Sequence, residues 1–94
     1  GTIEMLAVTP EGAWIVQTPL LPFKANGSGD VTAALFTAHY RRTGDAADAL
    51  ARTTSSVYDL LRTTYESGQR ELALVQSQEY FAHPQLQFEV RQIR

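Results

Sequence analysis

Cysteine is absent from the sequence, which excludes disulfide bonds and metal sites built from thiolates and fits a reducing compartment. No apolar run approaches the length of a membrane-spanning helix, and no signal peptide opens the chain. Lysine occurs once, at Lys24, and the arginines are scattered rather than clustered. These absences predict a protein that binds neither nucleic acid nor a membrane.

Length and composition indicate part of an ordinary globular domain. The 94 residues are 44% hydrophobic and carry a formal net charge of −2, which is not the balance of a disordered chain. A chain this short buries a smaller fraction of its surface than a full enzyme domain, so we expect marginal stability. Because no initiator methionine precedes Gly1 and a strand is predicted almost at once, we expect residues 1–94 to be one segment of a single larger domain.

A glycine-rich turn, Asn-Gly-Ser-Gly-Asp at residues 26–30, runs directly into an alanine-rich helix. Gly27 and Gly29 lack a Cβ, which allows positive φ and lets backbone amides approach a ligand closely. The helix start adds free N–H donors and the positive end of the helix dipole. The turn is therefore a candidate phosphate site, in which Ser28 either contributes its hydroxyl or is simply a small residue whose amide suffices.

Asp30 distinguishes two interpretations of this turn. As an ordinary helix cap its carboxylate would occupy the anion site itself, whereas beside a bound phosphoryl group it would accept a proton from an attacking hydroxyl. Phosphoryl transfer requires both an anion cradle and a base. The five residues alone favour the ordinary cap, because short glycine motifs have many false positives.

Hydrophobic periodicity and chain breakers predict a β-hairpin, two main helices, a short helix and a final strand. In the first helix Val31, Ala34, Leu35 and Ala38 form one stripe, and Asp45 is the predicted N-cap of the second helix. The elements are predicted over residues 3–8 and 13–18 (hairpin), 30–42, 45–68 and 71–78 (helices) and 86–90 (final strand).

Three parts of the sequence resemble known kinases. The Gly-Ser-Gly-Asp turn with the following Val-Thr-Ala-Ala-Leu-Phe resembles the catalytic turn of ribokinase-like sugar and vitamin kinases. Residues 70–78, followed by His83-Pro84 and a closing strand, resemble the C-terminus of pyridoxal kinases. Residues 3–8 and 13–16 resemble the hairpin before that turn in bacterial pyridoxamine and pyridoxal kinases. The likeness covers nearly all of the chain, although the loop over residues 19–26 is shorter and everything upstream of the hairpin is absent.

The resemblance implies an α/β fold, namely the C-terminal part of a ribokinase-like three-layer domain whose hairpin and last strand join a larger sheet. The intact enzyme would transfer the γ-phosphoryl group of ATP to the 5′-hydroxymethyl group of pyridoxal, pyridoxamine or pyridoxine. It would use Mg²⁺ with ATP and often a monovalent cation, form a homodimer, and be cytoplasmic. The metal ligands and most of the vitamin pocket would lie upstream, so the chain alone is expected to be inactive.

The same resemblance assigns roles to residues of this chain. Asp30 would contact the substrate hydroxyl and take its proton. The amides of Gly27, Ser28 and Gly29 would form the anion hole. The segment along ATP would consist of Thr18, Pro19, Leu20 and Leu21.

Two alternatives stay open at this point. A related kinase could use the same turn on a sugar or nucleoside, and a small non-enzymatic α/β module could keep the turn as structure. Asp30, where hydroxymethylpyrimidine kinases have Cys, argues against that family. His39 and His83 are too far apart in sequence to suggest a metal cluster, and we expect His39 on a helix surface and His83 in a turn. Trp14 is expected in the core.

Overall fold

The computed structural model describes residues 1–21, 27–68, 72, 74 and 77–94. In chain order the described elements are strand β1 (Thr2–Thr9), strand β2 (Gly12–Pro19), helix α1 (Ser28–Thr43), helix α2 (Ala46–Glu66), helix α3 (Gln78–Ala82) and strand β3 (Val90–Gln92). The predicted α/β class is confirmed. The short helix predicted over residues 71–78 lies largely outside the described residues, and α3 begins where that prediction ends.

The three strands form one antiparallel sheet in the order β1-β2-β3. β1 and β2 are joined as the sequence predicts, by a tight turn between the paired residues Thr9 and Gly12. Residue 12 must be glycine, because a Cβ on Gly12 would lie 2.6 Å from the carbonyl oxygen of Arg94. The C-terminus therefore closes directly over the hairpin turn.

The final strand lies later in the chain than the sequence predicts. Alternation of apolar residues predicted a strand over residues 86–90, but β3 begins only at Val90, opposite Val16. The residues just before Val90 do not join the sheet because they bond to α2 instead. The Gln87 N–H donates to Oγ of Ser55 at 3.1 Å and its side chain donates to Asp59 at 2.9 Å, so this part of the chain is held on α2.

Both ends of α1 are set by glycine. The helix begins at Ser28, two residues earlier than predicted, because Gly27 turns the chain with φ 86°. It ends at Gly44, whose φ is 68° and whose N–H donates to the Tyr40 carbonyl at 2.7 Å. Asp45 then caps α2 as predicted, since its Oδ1 accepts the N–H of Asp48 at 3.1 Å.

Helix α2 is the central element and packs on α1, α3 and all three strands. Four consecutive hydroxyl side chains in its middle are completely buried: Thr53, Thr54, Ser55 and Ser56. Because successive helix positions point in directions about 100° apart, they meet different neighbours. Thr54 donates to Sδ of Met5 in the sheet, and Ser55 accepts from Gln87. Ser56 donates to the Tyr80 carbonyl. Small side chains let these neighbours approach the helix closely from several sides.

The core lies between α2 and one face of the sheet. Ala7, Val16 and Leu50 are its fully buried centre, and Trp14 packs against them as predicted. The partly buried residues around this centre are Met5, Phe36, Phe88 and Val90. On the opposite face of β1, Leu6 and Val8 are 58% and 59% exposed.

Candidate active site at the start of helix α1

The first backbone N–H groups of α1 have no hydrogen-bond acceptor within the described residues. The first internal hydrogen bond of the helix runs from the Val31 N–H to the Gly27 carbonyl at 3.1 Å. The amides of Ser28, Gly29 and Asp30 therefore have no acceptor within the helix, and Gly27 has no side chain that could cap them. These donors and the positive end of the helix dipole make this turn a suitable cradle for an anion.

The two glycines of the turn contribute differently. Gly27 has the positive φ that the sequence suggested for both, whereas Gly29 lies inside the first helical turn without it. A Cβ at Gly29 would meet no described atom within 4 Å. Among the described residues, its missing side chain therefore serves no packing need and leaves the approach to the amides open.

Asp30 is the third residue of α1, not the first as predicted. It is exposed, and within the described ranges its carboxylate takes part in no hydrogen bond or ion pair. It does not act as the cap of its own helix, since the N-cap position belongs to Gly27. The carboxylate thus stays available to a ligand held by the amides beside it.

The segment that the sequence places along ATP forms the end of β2 and the residues after it. Thr18 is buried and pairs with Ile3, and Pro19 is the last residue of the strand. The Leu20 N–H donates to the Gly1 carbonyl at 3.1 Å, while the Leu20 side chain is 58% exposed. Residues 22–26, which include Lys24, are not among the residues that the structure describes.

A cavity of about 300 Å³ brings this segment and the start of α1 together. Its lining includes Thr18, Pro19, Leu20, Leu21 and Ser28. Gly29 lines a neighbouring cavity of about 540 Å³, and Asp30 lines neither of the two. The rest of the smaller cavity is apolar or aromatic except for Thr54, and α2 also supplies Val57, Tyr58 and Leu61. Sequence reasoning missed these three residues, because only the packing of α2 on the sheet brings them to the site.

His39 is the one described group whose protonation is clearly perturbed, and it lies near the opposite end of α1. The prediction that it lies on the helix surface is wrong, since it is 5% exposed. Burial lowers its pKa, and the positive charges of Arg42 and Arg52 lower it further against the opposing effect of Asp48. Its Nδ1 accepts from Arg42 at 3.0 Å, which places the proton on Nε2.

The buried face of α1 is shifted from the predicted stripe and not replaced. Val31 and Leu35 are partly buried as predicted, but Ala34 and Ala38 are exposed, while Phe36 is partly buried and His39 is buried. His83 is exposed at the end of α3, in the turn where it was expected.

The part of the chain that the structure describes holds no group of three or more His, Cys, Asp or Glu able to bind a metal ion. The expectation that a catalytic metal is held from outside this chain stays a prediction. No helix within the described ranges is long and apolar enough to cross a membrane.

Solved kinase structures share this fold. A putative phosphomethylpyrimidine kinase from Bacteroides thetaiotaomicron superposes with a TM-score of 0.86 at 20% identity, over 98% of this chain and 34% of that one. Pyridoxal kinase from Entamoeba histolytica superposes with a TM-score of 0.83 at 18% identity, over 98% of this chain and 34% of that one. Pyridoxal kinase from Leishmania donovani in complex with ADP and pyridoxine superposes with a TM-score of 0.78 at 20% identity, over 99% of this chain and 32% of that one. These likenesses confirm the predicted ribokinase-like architecture.

Sequence comparison identifies the family. No protein-family model matches the chain. It is 71% identical over 93 residues to pyridoxal kinase PdxY of Leifsonia xyli subsp. xyli, and 65% identical over 91 residues to the protein of that name from Corynebacterium diphtheriae. The matches cover 99% and 97% of this chain but 33% and 32% of the relatives, so the chain spans about a third of their length. The resemblance carried by its motifs is confirmed, and the chain belongs to the family of bacterial pyridoxal kinases.

Proposed function

We propose that this chain is part of a kinase that transfers the γ-phosphoryl group of ATP to the 5′-hydroxymethyl group of a B6 vitamer. One observation carries the proposal: the uncapped first turn of α1 meets, at Ser28, the cavity lined by residues 18–21. An anion cradle and a cavity for the rest of a nucleotide are therefore adjacent. The names of the sequence relatives, and the ADP and pyridoxine of the Leishmania complex, support this choice of substrates.

The backbone of the turn would stabilise negative charge. In phosphoryl transfer the charge on the equatorial oxygens of the moving group must be met by donors that are already in place. The amides of Ser28 and Gly29 lie in a helical turn, so they need not reorganise when the ligand arrives. Gly27 holds the entry to that turn through its left-handed conformation. Together the three residues form the proposed anion hole.

Asp30 would act as the general base. Its carboxylate sits in the same helical turn as the cradle amides, is exposed, and is not engaged by another described side chain. A substrate hydroxyl placed in line with the γ-phosphoryl group could donate its proton there as the new P–O bond forms. The oxygen of that hydroxyl then becomes the ester oxygen of the product, and ADP leaves.

The apolar cavity would hold the nucleotide beside the phosphates. Its size falls at the lower end of small-molecule sites, and Tyr58 and Leu61 offer flat and aliphatic surfaces of the kind that bind a heterocycle. The segment Thr18 to Leu21 forms the opposing wall, with the exposed Leu20 side chain free to cover a ligand. The phosphates would extend from this cavity towards Ser28.

Several further properties belong to the same proposal. The kinase would use a divalent metal, which we take to be Mg²⁺, to neutralise the charge of the ATP phosphates, and a monovalent cation could assist. The described residues lack a suitable ligand cluster for the metal, so no step is assigned to it here. A homodimer and a cytoplasmic location follow from the family resemblance, and the absence of cysteine agrees with that location.

The test is a substrate comparison on the whole kinase that contains this chain. Pyridoxal, pyridoxamine and pyridoxine are offered with ATP and Mg²⁺ beside ribose and a nucleoside, and the product is identified by mass and by ³¹P NMR. We expect a 5′-phosphate ester on at least one vitamer. Phosphorylation confined to the sugar or the nucleoside would favour the related-kinase alternative, and no transfer to any acceptor would favour a non-enzymatic module.

A further inference from the structure

Tyr58 is the aromatic residue that α2 contributes to the cavity beside Ser28, and its ring is in contact with a second aromatic ring. The ring centroids of Tyr58 and Phe88 are 5.1 Å apart, and the ring planes meet at 73°. Such an edge-to-face arrangement is favourable, because the positive edge of one ring meets the negative face of the other. The contact therefore restricts the orientation of the Tyr58 ring in the cavity wall.

Phe88 supports this wall without forming part of it, since it does not line the cavity beside Ser28. It is partly buried and packs against the core that contains Val16. It also borders a separate cleft of about 280 Å³, together with Gln17. Packing consequently covers only part of its ring, and a ligand in the cavity beside Ser28 would touch Tyr58 and not Phe88.

Gln87 fixes the chain next to Phe88 by two hydrogen bonds to α2. Its N–H donates to Oγ of Ser55 at 3.1 Å, and its side-chain amide donates to Oδ2 of Asp59 at 2.9 Å. Both acceptors belong to buried residues, and they lie about one helical turn apart on the stretch of α2 that supplies the cavity wall. Oδ1 of Asp59 is 3.3 Å from the Arg62 guanidinium, so the carboxylate itself is held in place.

The orientation of a cavity-wall ring matters for the affinity of the cavity. A side chain that is free to turn loses that freedom when a ligand packs against it, and the loss of entropy weakens binding. A ring that is already held in the binding orientation avoids this loss. The contact from Phe88, anchored by Gln87, holds the Tyr58 ring before any ligand arrives.

We propose that Gln87 and Phe88 are positioning residues for nucleotide binding: Gln87 holds the last part of the chain on α2, and Phe88 sets the orientation of Tyr58. The inference rests on the proposed function, because it takes the cavity beside Ser28 as the nucleotide site. Neither positioning residue touches the ligand or the reacting atoms. The expected effect of losing them is therefore on nucleotide affinity and not on the transfer step.

The competing explanation is that Phe88 only fills the core. Removal of its ring would then lower stability but leave the nucleotide affinity of the folded kinase unchanged. Val90 offers a matched control, since it packs against the same buried centre two residues later and takes no part in the ring contact. Val90→Ala should lower stability and leave the affinity as it is.

Equilibrium binding to the whole kinase separates the two explanations. Calorimetry gives the Kd for AMP-PNP with Mg²⁺ and, in a separate titration, the Kd for pyridoxal. We expect Phe88→Ala to raise the Kd for AMP-PNP about 3- to 10-fold, as for the ordering of one released side chain, and to change the Kd for pyridoxal less than about twofold. Phe88→Tyr, which restores a ring, should return the first value to that of the wild type.

A double-mutant cycle with Tyr58→Ala tests the route through Tyr58. In that background Phe88→Ala should cause no further change in the Kd for AMP-PNP, because the ring that it positions is gone. Additive losses would overturn the proposal. Gln87→Glu places a second carboxylate against Asp59 and should also weaken AMP-PNP binding. Gln78→Glu, at the exposed first residue of α3, is the charge-matched control and should not.

The outcomes distinguish a failure of this inference from a failure of the proposed function. A wild-type kinase that binds no AMP-PNP would overturn both. Wild-type binding that Phe88→Ala leaves unchanged would overturn the inference alone. Equal losses of affinity for AMP-PNP and pyridoxal in Phe88→Ala would also overturn it, because they indicate general damage to the fold.

Discussion

The guanidinium of Arg42 lies 3.0 Å from Nδ1 of His39 and donates to a ring that is almost entirely removed from solvent. A protonated imidazole here would lose that acceptor and face two arginines, Arg42 on its own helix and Arg52 on α2, against the single carboxylate of Asp48. The contact between α1 and α2 therefore favours a neutral histidine. The proposed phosphate cradle lies at the other end of the same helix.

This arrangement predicts a loss of stability on acidification. The pKa of His39 is lowered in the folded protein, so below its ordinary value of about 6.5 the unfolded chain takes up a proton that the folded chain refuses. The stabilising effect is complete above that pH. It declines as the pH falls towards the folded pKa, with a slope of at most about 1.4 kcal/mol per pH unit. Urea unfolding at pH 7.5, 6.5 and 5.5 measures it.

A pair of histidine variants separates this effect from general acid denaturation. His39→Gln should flatten the pH dependence between 7.5 and 5.5, although it will also change the stability at pH 7.5. His83→Gln is the control, because His83 is exposed and should leave the slope unchanged. A slope that survives in His39→Gln would show that another group is responsible.

Replacement of Asp30 by Asn tests the proposed base. The change keeps the side-chain volume beside the phosphate but removes the proton acceptor, so we expect the turnover number of the whole kinase to fall by about 10²–10⁴ with little change in ATP affinity. Steady-state kinetics and equilibrium binding of ATP give the two values. Glu11→Gln, at an exposed acid in the hairpin turn at the opposite end of β2 from residues 18 and 19, should leave turnover near normal. Near-normal turnover in Asp30→Asn would remove that residue from its role.

A β-branched side chain at Gly29 tests the cradle. The built Cβ meets no described atom, so Gly29→Val should fold, yet its side chain would stand over the amides that are proposed to hold the phosphoryl group. Ala34→Val is a matched control, because Ala34 is an exposed residue of the same helix. We expect phosphoryl transfer by the whole kinase to fall far more in Gly29→Val. Equal rates in two variants of equal helicity and midpoint would mean that the turn is only structural.

The 94-residue chain by itself should not phosphorylate pyridoxal. It supplies a cradle and a base, but its described residues lack a metal ligand cluster, and the reactants would not be held in line. In the described part of the sheet β1 is an edge strand, and such an edge should also promote self-association. The assay uses ATP, Mg²⁺ and pyridoxal, with the whole kinase as positive control and light scattering for the association state. Catalytic turnover by the isolated chain would contradict the prediction.

Some features of this fold could be predicted from the sequence alone, because they depend on local chemistry. The hairpin turn, the Asp45 cap and the helix end at Gly44 each depend on the conformational preferences and hydrogen bonds of a few neighbouring residues. The Gly-Ser-Gly-Asp turn belongs to this class as well, since helix geometry leaves its amides free wherever the helix is placed. The predicted helix start at Asp30 is nevertheless two residues too late, because Gly27 alone turns the chain through its positive φ.

Tertiary packing decided what local patterns left open. The last strand begins at Val90, since Gln87 is hydrogen-bonded to Ser55 and Asp59 of α2 and not to β2. His39 is buried because the face of α1 that packs is shifted from the apolar stripe: it keeps Val31 and Leu35 but leaves Ala34 and Ala38 exposed. The meeting of residues 18–21 with Ser28 and Tyr58 in one cavity depends on how α2 lies across the sheet. Side chains distant in sequence come together only through such packing, and no local preference specifies it.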